Sequence, residues 1–300
     1  MPEDSLTLKL SNGISIPRIG FGLAALTPGK DLEDAVSAAL DAGYRLFDNA
    51  PFYANESAVG AALREGKVKR EELFISTKLP NACHAYRDAR EAFERSLKTL
   101  GVDYLDMYLI HFPIPKQNLY CEAWRAFEDM YEEGLIRAIG VSNFLEPHLE
   151  DIFSMCRIKP MVNELECNPY LAIPVLRSYC RKHEIQIISW FPLGGPQKLL
   201  RTPKIQNYKK LLEDDVIKTI AAAHGKSAAQ VALRWAVDSD IVPIPKSSRP
   251  ERIRENIDLF DFSLTNEEMI KISGLDHDRR LGPDPGEFGD LTAVFSDVKS

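Results

Sequence analysis

Apolar residues in this chain fall into two rhythms that take turns. The opening segment alternates with period two: Leu6-Thr-Leu-Lys-Leu, then the turn residues Ser11-Asn12-Gly13, then Ile14-Ser-Ile. That pattern predicts a β-hairpin. Beyond it, short apolar runs are followed each time by stripes recurring every three or four positions. The runs predict strands at 16–22, 44–49, 72–78, 103–110, 136–142, 160–166, 185–191 and 241–246. The stripes predict helices at 31–42, 57–65, 86–100, 121–133, 146–156, 173–183, 215–224, 228–237 and 251–258. A strand such as Leu105-Asp-Met-Tyr-Leu-Ile is nearly all apolar, as suits a parallel sheet covered on both faces.

Eight strands alternating with helices predict an α/β fold of the (β/α)8 TIM-barrel type, with the hairpin plugging its bottom. The rival, a doubly wound open sheet, is disfavoured because the first strand–helix turn lacks a G-x-G-x-x-G. The 300 residues show no low-complexity tract or Pro/Gly linker, so residues 1–300 are expected to form a single domain. The segment Leu281-Gly-Pro-Asp-Pro-Gly-Glu-Phe-Gly-Asp is rich in Pro and Gly and predicts a tail across the barrel mouth.

Composition changes this picture little. A net charge of −7 argues against a nucleic-acid or anionic-membrane surface. The five cysteines, odd in number and without C-x-x-C spacing, read as reduced thiols of a cytoplasmic protein. Met1-Pro-Glu-Asp has no apolar core of a secretion signal, and no run is long enough for a membrane helix. The six histidines are dispersed and form no H-x-x-x-H or H-E-x-x-H, so no metal site is expected.

The chemistry should sit where barrel strands end. There the chain places Asp48, Lys78, His111, Ser142 with Asn143, Glu164, Trp190, and Lys246 with Ser247. Each alone has an ordinary explanation: a turn aspartate, a solvated lysine, a buried imidazole. Their convergence on one rim has none. Tyr53 follows Asp48 by five residues. Free tyrosine titrates near pH ~10, and a nearby ammonium stabilises the phenolate. Lys78, held charged by Asp48, would therefore make Tyr53 a better proton donor, with His111 steering a carbonyl toward it. A second constellation runs from Lys246 to Asn256. Ser248 and Glu251 have capping-box spacing around Pro250, Arg252 and Asn256 share a helical face, and Lys246 with Ser247 precede the helix start. This reads as a phosphate clamp; the ordinary alternative is a basic helix surface.

With these pieces in order, the chain resembles the aldo-keto reductase family. The resemblance rests on Phe47-Asp48-Asn49-Ala50 with Tyr53, Ser76-Thr77-Lys78-Leu79, Asp103-Tyr104-Leu105-Asp106, Ile110-His111-Phe112-Pro113, Gly140-Val141-Ser142-Asn143-Phe144, Asn168-Pro169-Tyr170, Pro192-Leu193-Gly194 and the Lys246–Asn256 run. It implies an NADP(H)-dependent reductase that converts aldehydes or ketones to alcohols, with a catalytic tetrad of Asp48, Tyr53, Lys78 and His111. It implies cofactor contacts from Gly22, Leu23, Ser142, Asn143, Glu164, Trp190, Phe191, Leu193, Lys246, Ser247, Arg252, Glu255 and Asn256. A Lys and an Arg at a phosphate monoester favour NADPH over NADH. The substrate pocket would be walled by Phe52, Pro80, Phe112, Trp190 and the tail 281–294. The loop before 215 would fold over the pyrophosphate. A monomer or weak homodimer acting on a small carbonyl substrate is implied. Two other readings stay open: an NADP(H)-binding regulatory or structural barrel without turnover, and a phosphate-sugar isomerase or lyase barrel.

The chain departs from the family pattern in several places. Glu164 stands where glutamine is usual, Phe112 and Pro80 where tryptophan is frequent, Leu23 for threonine and Asn168 for histidine. An ionised Glu164 would favour the cationic, oxidised nicotinamide over the reduced one, by up to ~4 kcal/mol for a pair ~4 Å apart.

Overall fold

The computed structural model describes residues 6–195 and 209–288. The loop residues 196–208 and the tail residues 289–294 named above lie outside them. The hairpin is present: β1 (Thr7–Lys9) pairs antiparallel with β2 (Ser15–Pro17), Leu8 opposite Ile16. Ile16 and Leu10 are buried. The Asn12 amide donates to the carbonyl of Arg137 at 2.9 Å, which sets the hairpin against the N-terminal end of the barrel.

Eight parallel strands follow in chain order around the barrel. They are β3 (Gly20–Gly22), β4 (Leu46–Asp48), β5 (Phe74–Leu79), β6 (Leu105–Ile110), β7 (Ile136–Ser142), β8 (Val162–Glu166), β9 (Gln186–Trp190) and β10 (Ile241–Pro243). The seam between the first and last is drawn together where the Gly22 N–H donates to the Pro245 carbonyl at 3.1 Å. Here backbones approach so closely that only glycine fits. A Cβ on Gly22 would lie 2.8 Å from the Ile244 carbonyl oxygen, and one on Gly20 2.6 Å from the Leu46 side chain.

Helices α1 (Lys30–Ala42), α2 (Glu56–Glu65), α3 (Tyr86–Leu100), α4 (Tyr120–Glu132), α5 (Glu146–Phe153) and α6 (Pro174–Lys182) connect the earlier strands. They are followed by α7 (Asp215–His224), α8 (Ala228–Asp238), α9 (Pro250–Ile257) and α10 (Asn266–Ser273). Their amphipathic spacing decides which face turns inward. In α3, Ala89, Ala92, Phe93, Ser96 and Leu100 are buried at steps of one, three and four, while the charged residues between them face out. Among the described residues no helix is long and apolar enough to cross a membrane.

Three expectations are corrected. The run 16–22 is two strands: Ile16 belongs to the hairpin, and the chain turns after Pro17, where the Arg18 N–H donates to the Leu6 carbonyl. The last strand stops at Pro243 rather than at 246, because Pro243 and Pro245 have no N–H to donate. Helix α10 was not foreseen, although Thr265 and Glu268 form the capping box that starts it.

Candidate active site

The C-terminal ends of β4, β5, β6 and β8 and the short turn Pro51–Tyr53 bring five titratable side chains together. Lys78 is fully buried. Its ammonium donates to Asp48 Oδ2 at 2.5 Å and to the Asn49 carbonyl at 3.1 Å, and Glu164 Oε1 stands 3.3 Å away. Burial alone would discharge such an amine, but Asp48, Glu164 and Tyr53 together outweigh it and hold its pKa above the ordinary lysine value. The Lys78 nitrogen lies 5.6 Å from the centre of the Tyr53 ring.

Tyr53 is half-buried. Contrary to the sequence expectation, its pKa is raised. Burial is the largest cause, Lys78 opposes it, and Asp48 and Glu164 push it further up. Burial of the phenol thus outweighs the ammonium beside it.

His111 stands edge-on to Tyr53, ring centres 6.2 Å apart. Burial, then Lys78, then His84 drive its pKa well below the ordinary histidine value, so it is a neutral imidazole at physiological pH. Glu164 shifts the other way. Burial and the neighbouring Asp48 charge, only partly offset by Lys78, push its carboxyl up to about 8. The pocket therefore favours its protonated form, against the ionised Glu164 assumed from the sequence.

The rim around this cluster is strained and tightly bonded. Asn143 and Phe191, at the ends of β7 and β9, have φ of 63° and 52°, and Ala54 after Tyr53 has 55°. Such left-handed backbone in non-glycine residues concentrates at functional sites. The Asn143 amide donates to the His111 carbonyl and to Ser142 Oγ, both at 3.0 Å, and Asn143 Oδ1 accepts from the Trp190 indole at 3.0 Å. Ser142 Oγ donates to the Glu164 carbonyl. Leu23 is less available than expected: its side chain is buried, its N–H donates to the Asp48 carbonyl, and its own carbonyl accepts from Asn55. Leu193 packs partly buried against the core.

The apolar wall is a small cluster apart from the main core, made of Phe112, Ile114 and Phe288 with Phe52 against it. Phe288, in the tail, lies 4.7 Å from Phe112 between ring centres, and Phe112 lies 5.4 Å from His111. Pro80 is half-buried at the end of β5. The tail is held by Glu166, two residues beyond Glu164, whose buried carboxylate accepts the Leu281 and Gly282 N–H groups at 2.8 Å each. Gly282 sits so close to Trp190 that a Cβ would come within 2.2 Å of the indole. Sequence reasoning passed over Glu166, although an acid inside an apolar strand was the available signal.

The residues expected to contact a dinucleotide phosphate lie between β10 and α9 and along α9. Lys246 and Arg252 are exposed and form no ion pair among the described residues. Ser247 is buried beside them, Glu255 is half-buried, and Asn256 is buried one turn further along α9. The predicted Ser248–Glu251 capping box does not form. With Pro250 in the first turn the helix begins one residue later than that spacing needs, and Ser247 Oγ instead accepts from the Arg249 N–H at 3.1 Å. Asp214 caps α7 and accepts from the Tyr170 hydroxyl at 2.7 Å, tying that helix to the rim.

The arrangement has close counterparts. The model of the Aldo/keto reductase family matches residues 18–277. The chain is 44% identical over 281 residues to the glyoxal reductase of Bacillus subtilis (strain 168), covering 94% of this chain and 96% of that one. It is 41% identical over 282 residues to the methylglyoxal reductase DkgA of Escherichia coli O157:H7, covering 94% and 98%. An aldo-keto reductase from Bombyx mori, solved in complex with NADP, superposes with a TM-score of 0.84 at 35% identity, covering 92% and 94%.

Proposed function

Because the chain belongs to the aldo/keto reductase family, we propose that it reduces aldehydes or ketones with NADPH, using Tyr53 as proton donor and Asp48, Lys78 and His111 to support it. The observation that carries this reading is the buried Lys78 ammonium. It is held at 2.5 Å by Asp48, and its nitrogen lies 5.6 Å from the centre of the Tyr53 ring at the mouth of the barrel. When bound, the dinucleotide supplies the hydride. Everything else falls to the chain's own groups.

Neutral His111 offers a ring nitrogen to the carbonyl oxygen and holds it near the Tyr53 hydroxyl. Tyr53 gives its proton to that oxygen. The phenolate left behind is stabilised by Lys78, whose charge Asp48 maintains. A donor whose pKa burial has raised keeps its proton until negative charge develops beside it, which suits reduction better than alcohol oxidation. Phe52, Phe112, Phe288 and Pro80 exclude water from the reacting carbonyl. Lys246, Ser247 and Arg252 would hold the 2′-phosphate that separates NADPH from NADH, and Trp190 would support the nicotinamide face. The compact aromatic wall and the named activities of the relatives favour small aldehydes and dicarbonyls as substrates.

The test is consumption of NADPH and of NADH with glyoxal, methylglyoxal, simple aldehydes and larger ketones. NADPH oxidation with at least one small carbonyl is expected, reduced by ~100- to 10,000-fold in Tyr53→Phe with NADPH binding retained. Tight NADPH binding without turnover of any carbonyl would overturn the reading in favour of a regulatory barrel.

A further inference from the structure

Glu164 is placed where it has no need to be if it only touches a cofactor. It projects from β8 into the reaction centre, 2% exposed, with Oε1 3.3 Å from the Lys78 nitrogen. Asp48 already occupies that ammonium at 2.5 Å, so both acids stand against the same nitrogen. The remaining oxygens of the two acids, Asp48 Oδ1 and Glu164 Oε2, are buried without another partner. One ammonium in a dry pocket compensates one carboxylate; a second would carry an unpaired buried charge. No other cation relieves it. The neighbours of Glu164 in the strand ladder are Ser142 on β7 and Ile188 on β9, and the charged or titratable groups facing it are Asp48, Lys78 and Tyr53.

We propose that Glu164 is a positioning residue that acts through Lys78: it shares one proton with Asp48 and releases it when positive charge arrives at the nicotinamide position, so that it sets the relative affinity for oxidised and reduced cofactor. This rests on the reading given under Proposed function. The proton balance is simple. With Glu164 protonated, the Asp48–Lys78 pair is neutral overall and suits the uncharged reduced ring. On binding the oxidised, cationic form, the Glu164 O–H breaks, the proton leaves to solvent, and the carboxylate faces the added charge. No electron moves in this step. The groups around Glu164 do not compete in the relevant range. Tyr53 and Lys78 are shifted above it and His111 well below, while Glu164 itself is pushed up to about 8.

The experiment is calorimetric binding of NADP+ and of NADPH, each in buffers of differing ionisation enthalpy, between about pH 6 and about pH 9. One released proton steepens affinity by up to about tenfold per pH unit. Both cofactors carry the same phosphates, so the ratio of their affinities isolates the ring. For the wild-type protein the ratio is expected to move toward NADP+ as pH rises, with proton release on NADP+ binding only. In Glu164→Gln it should be flat, and Glu164→Asp should restore the slope in part. Infrared titration of the apoprotein should show a protonated-carboxyl band near neutrality that Glu164→Gln lacks; this readout needs neither turnover nor cofactor. Equal proton release with both cofactors, or a slope unchanged in Glu164→Gln, overturns the proposal and leaves the proposed function standing. Failure of both cofactors to bind wild-type protein overturns both. Should Glu164→Gln not fold, the wild-type proton count and infrared band decide the matter alone.

Discussion

Two buried ion clusters occupy opposite ends of the barrel, and they are built on opposite plans. Near the bottom, Asp106 of β6 is completely buried, and each of its oxygens is used. Oδ1 accepts from Arg137 at 2.6 Å, and Oδ2 from Arg70 at 2.7 Å and the Ile75 N–H at 2.9 Å. Its arginines reach back toward solvent, with side chains 25% and 43% exposed. At the mouth, Lys78 is buried among partners that are buried too, and Asp48 Oδ1, Glu164 Oε2 and the Asn49 amide lack hydrogen-bond partners. The first cluster satisfies an acid and ties three strands together. The second leaves oxygens of both its acids without partners, whereas in the first only the Arg70 Nε, on the cation side, is left so. Charge inside a protein is no sign of function by itself; incomplete pairing of that charge is the better sign.

The comparison can be broken from either end. The largest effect is expected from Lys78→Met: carbonyl reduction should fall at least ~100-fold, as support for the Tyr53 proton is lost. The melting temperature should fall less than this loss suggests, because methionine keeps the apolar stem of the lysine in place. Steady-state kinetics alongside a thermal scan would separate the two. Asp106→Asn should do the reverse, with stability lower by ~2–4 kcal/mol in denaturant titration and turnover close to wild type. A loss of turnover matching that of Lys78→Met would erase the distinction.

Solution pH sharpens the contrast. Glu164 has a folded pKa raised to about 8, above the ordinary carboxyl value, so the folded state binds a proton that the unfolded state has lost. Stability from this group is full in acid and is lost as pH rises toward about 8, then stays constant. The melting temperature of Glu164→Gln relative to wild type should therefore climb over that window and level off above it. Asp106→Asn should show no such rise. The smallest effect is expected from Gly282→Ala. A Cβ there would lie 2.2 Å from the Trp190 indole, so the ring must shift; indole fluorescence should change and NADPH should bind several-fold more weakly, at a cost of about 1 kcal/mol.

Much of this was legible in the chain. The barrel strands and helices were readable because burial on one face imposes period two or three to four, and the eight-fold alternation admits few closures. Asp48, Tyr53, Lys78 and His111 were readable because strand ends are where barrels keep their chemistry. What was not legible depends on neighbours that are distant in sequence. Glu164 could be named, but its contact with Lys78 arises only when the strands close and stagger. Tyr53 could be paired with a lysine, but the burial that outweighs the lysine belongs to the assembled mouth. Asp106 was hidden inside an apolar run, and its role needed Arg70 and Arg137 brought beside it. The start of α9 slipped by one residue because Arg249 takes the cap position without a side-chain bond, and the serine contact that forms, from the Arg249 N–H to Ser247 Oγ, lies before the helix.

Strand β8 carries Glu164 and Glu166 two positions apart, so both point to the same side, separated by ~7 Å of extended chain. One acid grips the amine of the reaction centre, and the other grips the main chain of the tail. The tail and the buried amine thus hang from a single stiff bar. Grafting a foreign tail onto this barrel would have to respect the spacing of that bar, or the exchanged loop would pull on the chemistry it was meant to redirect.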